Sequence, residues 1–233
     1  MAENRVYVII LAAGMGSRMG ADITKQKMLL NGRTVISRTV RTFYECGAID
    51  GIVVVGRSEE LDFLASELSE YSQKIHAIVS GGETRFDSAR IGFDAVREVA
   101  THVAIHDGAR PLVSREIIEN VVNAAVRFGA ATDASPIYDT VKTIDASGVV
   151  TGTLDRTLLV SARTPQVFSS EIYARALENA KGGAGITDDN MMVEMIGVCV
   201  HAVVSNAPNP KITTATDLKY ADFLIKETEG ENV

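Results

Sequence analysis

Cysteine is scarce in this 233-residue chain. Cys46 and Cys199 stand far apart and outside any C-x-x-C or His-rich spacing, which argues against a disulfide framework or a zinc site and for reduced, cytoplasmic thiols. An excess of positive charge is also missing. With 23 Lys and Arg against 30 Asp and Glu, the net charge is -7 and the pI about 5.2, so no general basic field exists for nucleic acid or an anionic membrane. Any anion site has to be local. No apolar run approaches the roughly 18 residues that span a bilayer, and the N-terminal apolar run lacks a small-residue cleavage pattern. The expectation is a soluble cytoplasmic protein with neither a membrane nor a nucleic-acid partner, and without internal repeats or low-complexity linkers. Two common phosphate fingerprints fail as well. G-x-G-x-x-G needs glycine at position 19, where Met19 stands, and the Walker pattern needs Lys after Gly20, where Ala21 stands.

What is present suits α/β architecture. At 46% hydrophobic, the chain can bury a substantial core, and its length fits one domain over 1–233 better than two small ones. Val6–Leu11 is a continuous apolar run that reads as a buried strand. It feeds a loop carrying Gly14, Gly16, Arg18, Gly20, Lys25 and Lys27, where glycine permits close backbone approach and the cations add positive charge. That chemistry suits phosphate.

Strand and helix then alternate. Helices are expected over 34–46, over 58–69 from a Ser58 cap, in the segment carrying Ile91, Ala95 and Val99, over 114–128 from a Ser114 cap, and over 170–180. A further helix follows Thr187 or Asp188, and Thr214 with Asp217 forms a capping box for the last one. Strands are expected at 52–55, 75–79, 102–106, 130–134 and 199–204. In an open parallel sheet, ligands bind beyond the carboxyl ends of strands. The loops after residues 11, 79 and 106 should therefore converge on one cleft.

The rhythm breaks at about 136–163. Residues 141–144 and 149–154 are strand-like around turn chemistry at 145–148, so a β-hairpin is expected in place of a crossover helix. Its apolar Val141, Ile144, Val149 and Leu154 would be covered most simply by a second copy, which predicts a homodimer through this arm.

The motifs, in order, are AAGMGSRM with Lys25-Gln26, GGETRFDS, HDGARP, DTVK at 139–142, LDR at 154–156, TPQ at 164–166, ITDD at 186–189 and PKITT at 210–214. This set resembles the 2-C-methyl-D-erythritol 4-phosphate cytidylyltransferases over nearly the whole chain. The resemblance implies a Rossmann-like nucleotidyltransferase domain, with a mostly parallel twisted sheet and a projecting β-hairpin dimerisation arm. It also implies a reaction of CTP with a polyol phosphate that gives a CDP-alcohol and pyrophosphate, in non-mevalonate isoprenoid synthesis. Mg²⁺ would be bound mainly through CTP phosphates, with no protein metal cage.

By the same resemblance, Ala12, Ala13, Gly14 and Gly16 cradle the triphosphate, and Arg18 and Lys25 are the catalytic cations. The family usually reads P-K-Q-aromatic where this chain has Thr24-Lys25-Gln26-Lys27, and Lys25 is assigned the role with Lys27 exposed. Gly82, Glu83 and Ser88 match the nucleoside-facing loop, where Ser88 is either a hydroxyl for the base or a helix cap. Arg85 and Asp87 read as a pair that holds this loop. Asp107 faces the substrate alcohol or the metal-phosphate unit, Arg110 the substrate phosphate, and Lys211 the nucleotide phosphates. Thr140, Arg156 and Thr164 match acceptor-phosphate positions, those on the hairpin reaching into the neighbouring subunit. Arg163 stands where the family commonly has Gln, and Gly108 replaces a usual Ala. His106 is assigned no chemistry. The nearest rival is a ribitol 5-phosphate cytidylyltransferase, which tends to read HDSVRP where this chain has HDGARP; a non-catalytic nucleotide-binding scaffold is the rival from another class.

Overall fold

The structure, a computed structural model, describes residues 4–14, 24–180, 182–183 and 185–229. The opening apolar run is strand β1 (Val6–Leu11). Next come β2 (Leu29–Leu30) and β3 (Arg33–Thr34), α1 (Val35–Glu45), β4 (Gly51–Gly56), α2 (Leu61–Glu67), β5 (Ile75–Ser80), α3 (Arg85–Asp94) and β6 (His102–Asp107). The second half holds α4 (Arg115–Phe128), β7 (Ala130–Pro136), β8 (Lys142–Ile144), β9 (Val150–Thr153), β10 (Val160–Ser169), α5 (Ser170–Asn179), α6 (Asp189–Met195), β11 (His201–Val204) and α7 (Ala215–Glu229).

Seven strands form one sheet in the order β11-β7-β10-β6-β1-β4-β5. β1 pairs in parallel with β4 and β6, β4 with β5, and β7 with β11, whereas β10 opposes both its neighbours. Alternation along β1 sends Val8 and Ile10 toward Phe43 of α1 and Val121 of α4, and Ile9 toward Phe93 of α3 and Tyr173 of α5. Both faces are thus covered, as a mostly parallel sheet requires. Because helices α1 and α3 lie on opposite faces, the chain reverses its winding at β1. The crevice beyond the carboxyl end of β1 is where such a sheet accepts a ligand.

Side chains start these helices where the sequence leads one to expect. Ser114 accepts the Ile117 N–H, Asp188 (not Thr187) accepts the Met191 N–H, and Thr214 and Asp217 exchange bonds at the start of α7. Two helices are shorter than expected. Ser58 opens a 3-10 turn over Ser58–Glu60 and α2 begins only at Leu61, because Glu60 turns inward to accept the Thr24 hydroxyl at 2.6 Å. Helix α3 ends at Asp94, so Val99 packs from a turn.

The excursion is a hairpin of β8 and β9, closed by Asp145 Oδ1 accepting the Ser147 and Val149 N–H groups. Since β7 runs with β6 and β10 returns against it, the arm leaves the sheet at the same end as the crevice.

Candidate active site

The crevice is a cavity of about 340 Å³ whose walls come from three strand ends. From the end of β1 come Ala13 and Gly14, with Ala12 buried behind them and its N–H bonded to the Val55 carbonyl at 2.8 Å. Among the described residues, a Cβ on Gly14 would meet no atom within 4 Å. Gly16 and Arg18 lie outside the described residues.

Beyond them, the 3-10 turn Lys25–Lys27 is held from one side. Thr24 bonds Glu60, Lys27 Nζ lies 3.3 Å from the same buried carboxylate, and the Lys27 ammonium sits 4.8 Å over the Phe63 ring. Lys27 is therefore half-buried and facing away, not exposed as expected, while Lys25 lines the cavity.

The second wall follows β5. Gly82, Glu83, Arg85 and Ser88 all line the cavity. Gly81 must be glycine here, because a Cβ would lie 2.8 Å from both Ala13 Cβ and Ser88 Oγ. Thr84 caps α3 and forms a capping box with Asp87. The Ser88 hydroxyl is thus not a cap; it accepts the Gly82 N–H at 3.2 Å and fixes the glycine loop.

The expected Arg85–Asp87 pair is absent, since residues two apart on a helix point to different faces. Arg85 reaches instead to Asp189 (2.6 Å) and toward Asp107 (3.8 Å). Asp189 is fully buried and also accepts the Tyr173 hydroxyl at 2.7 Å. Burial opposes the charge on Arg85, but Asp189 and Asp107 outweigh it and raise the pKa above the ordinary range. Arg85 is not legible as a site residue in the sequence, although the GGETR motif contains it, because its partner lies 104 positions away.

The third wall follows β6. Asp107 is buried, and three cations surround it: Lys211 at 2.9 Å and Arg110 at 3.3 Å on Oδ2, with Arg85 on the side of Oδ1. Burial alone would raise its pKa; Lys211, Arg85 and Arg110 overcome this and hold it at about 2. His106 is held neutral by burial, with a pKa of about 3. Its Nε2 faces the Arg110 carbonyl at 3.3 Å and so donates, leaving Nδ1 to accept from the Thr164 hydroxyl at 3.2 Å. Thr164 Oγ1 in turn accepts the Asp107 N–H at 3.1 Å. Thr164, expected at the acceptor phosphate, thus stands buried behind Asp107 and orients its backbone.

A second cavity of about 360 Å³ adjoins the first and shares Lys211 with it. Arg110, Ser135, Ser161, Arg163, Asn209 and Tyr220 line it. Thr140 and Arg156 line neither cavity; both are exposed on the arm, where Arg156 donates to the Tyr138 carbonyl. The first cavity therefore gathers Ala13, Gly14, Lys25, Gly82, Glu83, Ser88, Asp107 and Lys211, the second takes Arg110 with Lys211, Thr164 stands behind Asp107, and Thr140 and Arg156 stay on the arm.

Among the described residues no group of three His, Cys, Asp or Glu side chains could hold a metal. Asp107 is one hard oxygen ligand, ionised at neutral pH, and among the described residues the ion pair on the side of Oδ1 is the loose one with Arg85. This donor set fits a divalent cation that arrives with phosphate ligands of its own.

The charge on Asp107 links the site to stability. Its pKa is lowered from 3.8 to about 2, so its contribution is fully present above about pH 4 and is lost as the pH falls through about 2. Asp107→Asn removes this dependence. In urea unfolding, the stability difference between wild type and variant is expected to shrink by about 2 kcal/mol from about pH 4 to below about pH 2. A pH-independent difference contradicts the assignment.

Comparison with known proteins comes from sequence and structure alike. The family model for IspD, 2-C-methyl-D-erythritol 4-phosphate cytidylyltransferase, matches residues 6–227. A protein of that name from Symbiobacterium thermophilum is 40% identical over 223 residues, covering 95% of this chain and 93% of its own. One from Syntrophus aciditrophicus is 38% identical, covering 97% and 98%. Among solved structures, the 4-diphosphocytidyl-2C-methyl-D-erythritol synthase of Anaerococcus prevotii superimposes with a TM-score of 0.85 at 31% identity, over 96% of both chains.

Proposed function

The chain belongs to the 2-C-methyl-D-erythritol 4-phosphate cytidylyltransferase family, and on that premise we propose that it joins CTP to 2-C-methyl-D-erythritol 4-phosphate across its two adjoining cavities. The reaction gives 4-diphosphocytidyl-2-C-methyl-D-erythritol and pyrophosphate, a step of isoprenoid biosynthesis. The single observation that carries the two-cavity reading is Lys211: its side chain belongs to both cavities and lies 2.9 Å from Asp107, so donor and acceptor phosphates meet at one cation.

The chemistry asks mainly for positive charge. A phosphate monoester oxygen attacks the α-phosphorus of CTP, a new O–P bond forms and the bond to pyrophosphate breaks. The nucleophile is already anionic, so clustered cations are needed more than a strong base. Arg18 and Lys25 stabilise the transferring phosphate, Ala12 to Gly14 and Gly16 cradle the triphosphate, and Lys211 bridges to the acceptor. Gly82, Glu83 and Ser88 face the nucleoside; backbone groups there can read the donor and acceptor edge of cytosine. Arg110 takes the acceptor phosphate in the second cavity, and Asp107 keeps Arg85, Arg110 and Lys211 in one array. Asp107 would help hold a Mg²⁺ that arrives with the CTP phosphates, and the ion would supply positive charge to the triphosphate.

We read residues 1–233 as one nucleotidyltransferase domain with an arm at about 136–163. An isolated two-stranded hairpin is marginal in water, yet the arm that carries this one exposes Ile144 by 63% and Leu158 by 83%, as well as Tyr138, Val149 and Val150. A second copy of the chain covers these residues and brings Thr140 and Arg156 to the partner's acceptor cavity. Ile144→Lys with Leu158→Lys is expected to convert a dimer into a monomer in equilibrium sedimentation, with most activity lost. A doubly substituted protein that stays dimeric refutes the arm's role. Both cysteines are free, Cys46 buried and Cys199 exposed, which supports a reducing, cytoplasmic setting.

The test is pyrophosphate release. Turnover is expected only when CTP, Mg²⁺ and 2-C-methyl-D-erythritol 4-phosphate are all present. Tight CTP binding without turnover, whichever alcohol phosphate is offered, supports a scaffold instead.

A further inference from the structure

Behind the second cavity lies a buried polar unit that the reaction does not require directly. Asp133 of β7 is fully buried. Its Oδ1 accepts from Arg163 Nη2 at 2.9 Å and its Oδ2 from Asn209 Nδ2 at 2.8 Å. Arg163 is 11% exposed, and its guanidinium also donates to the carbonyls of Ala134, Ser205 and Ala207, at 3.2, 3.3 and 3.1 Å. Asn209 Nδ2 donates a second bond, to the Thr164 carbonyl at 2.8 Å.

This unit ties the segment after β11 to the sheet, and that segment carries Lys211 and bonds Arg110. The Asn209 carbonyl accepts from Arg110 Nη1 at 2.7 Å, while Arg110 Nε reaches Asp107. Two residues after Asn209 stands Lys211, and the next amide, Ile212 N–H, closes onto the Ala109 carbonyl at 2.8 Å. Arg110 and Lys211 are thus set from both sides, by Asp107 in front and by Asn209 behind. Asp133 pairs with Arg163, and its charge also favours that of Arg110; both arginines line the cavity.

We infer that Asp133, Asn209 and Arg163 are positioning residues that set Arg110 and Lys211 for the phosphate of the acceptor alcohol. The inference rests on the reading of the second cavity as the acceptor side. It predicts asymmetry between the substrates, because the unit touches the acceptor wall and leaves the glycine loop after β5 alone. Removing the Asp133 charge leaves the Arg163 cation buried and unpaired, so a variant lacking both charges should behave better than the single one.

Four variants test this: Asp133→Asn, Arg163→Gln, the double D133N/R163Q, and the milder Asn209→Ser, with thermal melting to verify folding. In steady-state assays, D133N and N209S are expected to raise KM for the alcohol phosphate about tenfold to a hundredfold, the scale of a misplaced binding group, with KM for CTP within about twofold. The double variant recovers most of the D133N loss. Calorimetric binding of inorganic phosphate, with CTP saturating, is expected to weaken in parallel. Equal losses for the two substrates, no recovery in the double variant, or unchanged phosphate affinity in the folded variants overturns the inference. If wild type releases no pyrophosphate from CTP and the methylerythritol phosphate, the functional reading falls, and the phosphate titration still decides this one. Should D133N fail to fold, N209S and R163Q decide it.

Discussion

Lys25→Ala lowers the rate of pyrophosphate release by about two to three orders of magnitude, the scale of one lost transition-state donor, while the Kd for CTP changes by no more than about threefold. The reason lies in the turn that carries it. Glu60 is 3% exposed and holds both flanks of the segment, through the Thr24 hydroxyl and the Lys27 ammonium. With Lys27 drawn onto Glu60 and Phe63, the turn presents Lys25 to the cavity. A cation placed where charge develops acts mainly on rate, because uniform binding of ground and transition states lowers KM without raising kcat. Lys27→Ala is expected to lower the melting temperature, since it leaves a buried carboxylate short of its cation, with the rate within about threefold of wild type. Single-turnover rates and CTP titrations on the two variants check both statements. An unchanged rate in Lys25→Ala together with a collapsed rate in Lys27→Ala reverses the assignment.

Lys211→Ala is expected to lower kcat/KM by about a hundredfold and to weaken the alcohol phosphate as well as the transition state. Lys211 is the side chain common to both cavities, and its ammonium is 2.9 Å from Asp107 Oδ2. Without it, Asp107 keeps Arg110 and Arg85, so the fold should persist while the bridge between substrates goes. The signature separates the two lysines: Lys25→Ala spares the KM of the alcohol phosphate and Lys211→Ala does not. Lys211→Arg restores the charge but carries a broad planar fork in place of a compact ammonium, so partial recovery is expected. Full activity in Lys211→Ala contradicts the shared-cation account.

Much of the fold is legible in local chemistry alone. The β1 run, the Ser114 cap and the Thr214–Asp217 box are read from neighbouring residues, and the structure has them in place. Strand β10 was not legible. Its ten residues include Arg163, Thr164, Pro165 and Gln166, with little β-branched alternation, and Pro165 cannot donate to a ladder. The strand accommodates it because the pairing with β7 shifts register between Ala162 and Gln166. The small ribbon of β2 and β3 did carry a signal, Asn31-Gly32, whose φ values of +45° and +74° suit a tight hairpin turn, but two-residue strands leave no periodicity to read.

The candidate site divides in the same way. Glycines and cations on strand-end loops converge as topology demands, whereas the partners that fix them do not show in sequence. Arg85 finds Asp189 across 104 positions, and Asn209 finds Asp133 across 76. Such pairs depend on which strands become neighbours, which local pattern does not state.

The central claim is that these two cavities join a cytidylyl donor to methylerythritol phosphate, and a head-to-head comparison of acceptors tests it most directly. With CTP and Mg²⁺ held saturating, kcat/KM is measured for 2-C-methyl-D-erythritol 4-phosphate and for ribitol 5-phosphate by pyrophosphate release. The account predicts turnover with the first and, at most, a trace with the second; turnover confined to ribitol 5-phosphate would contradict it.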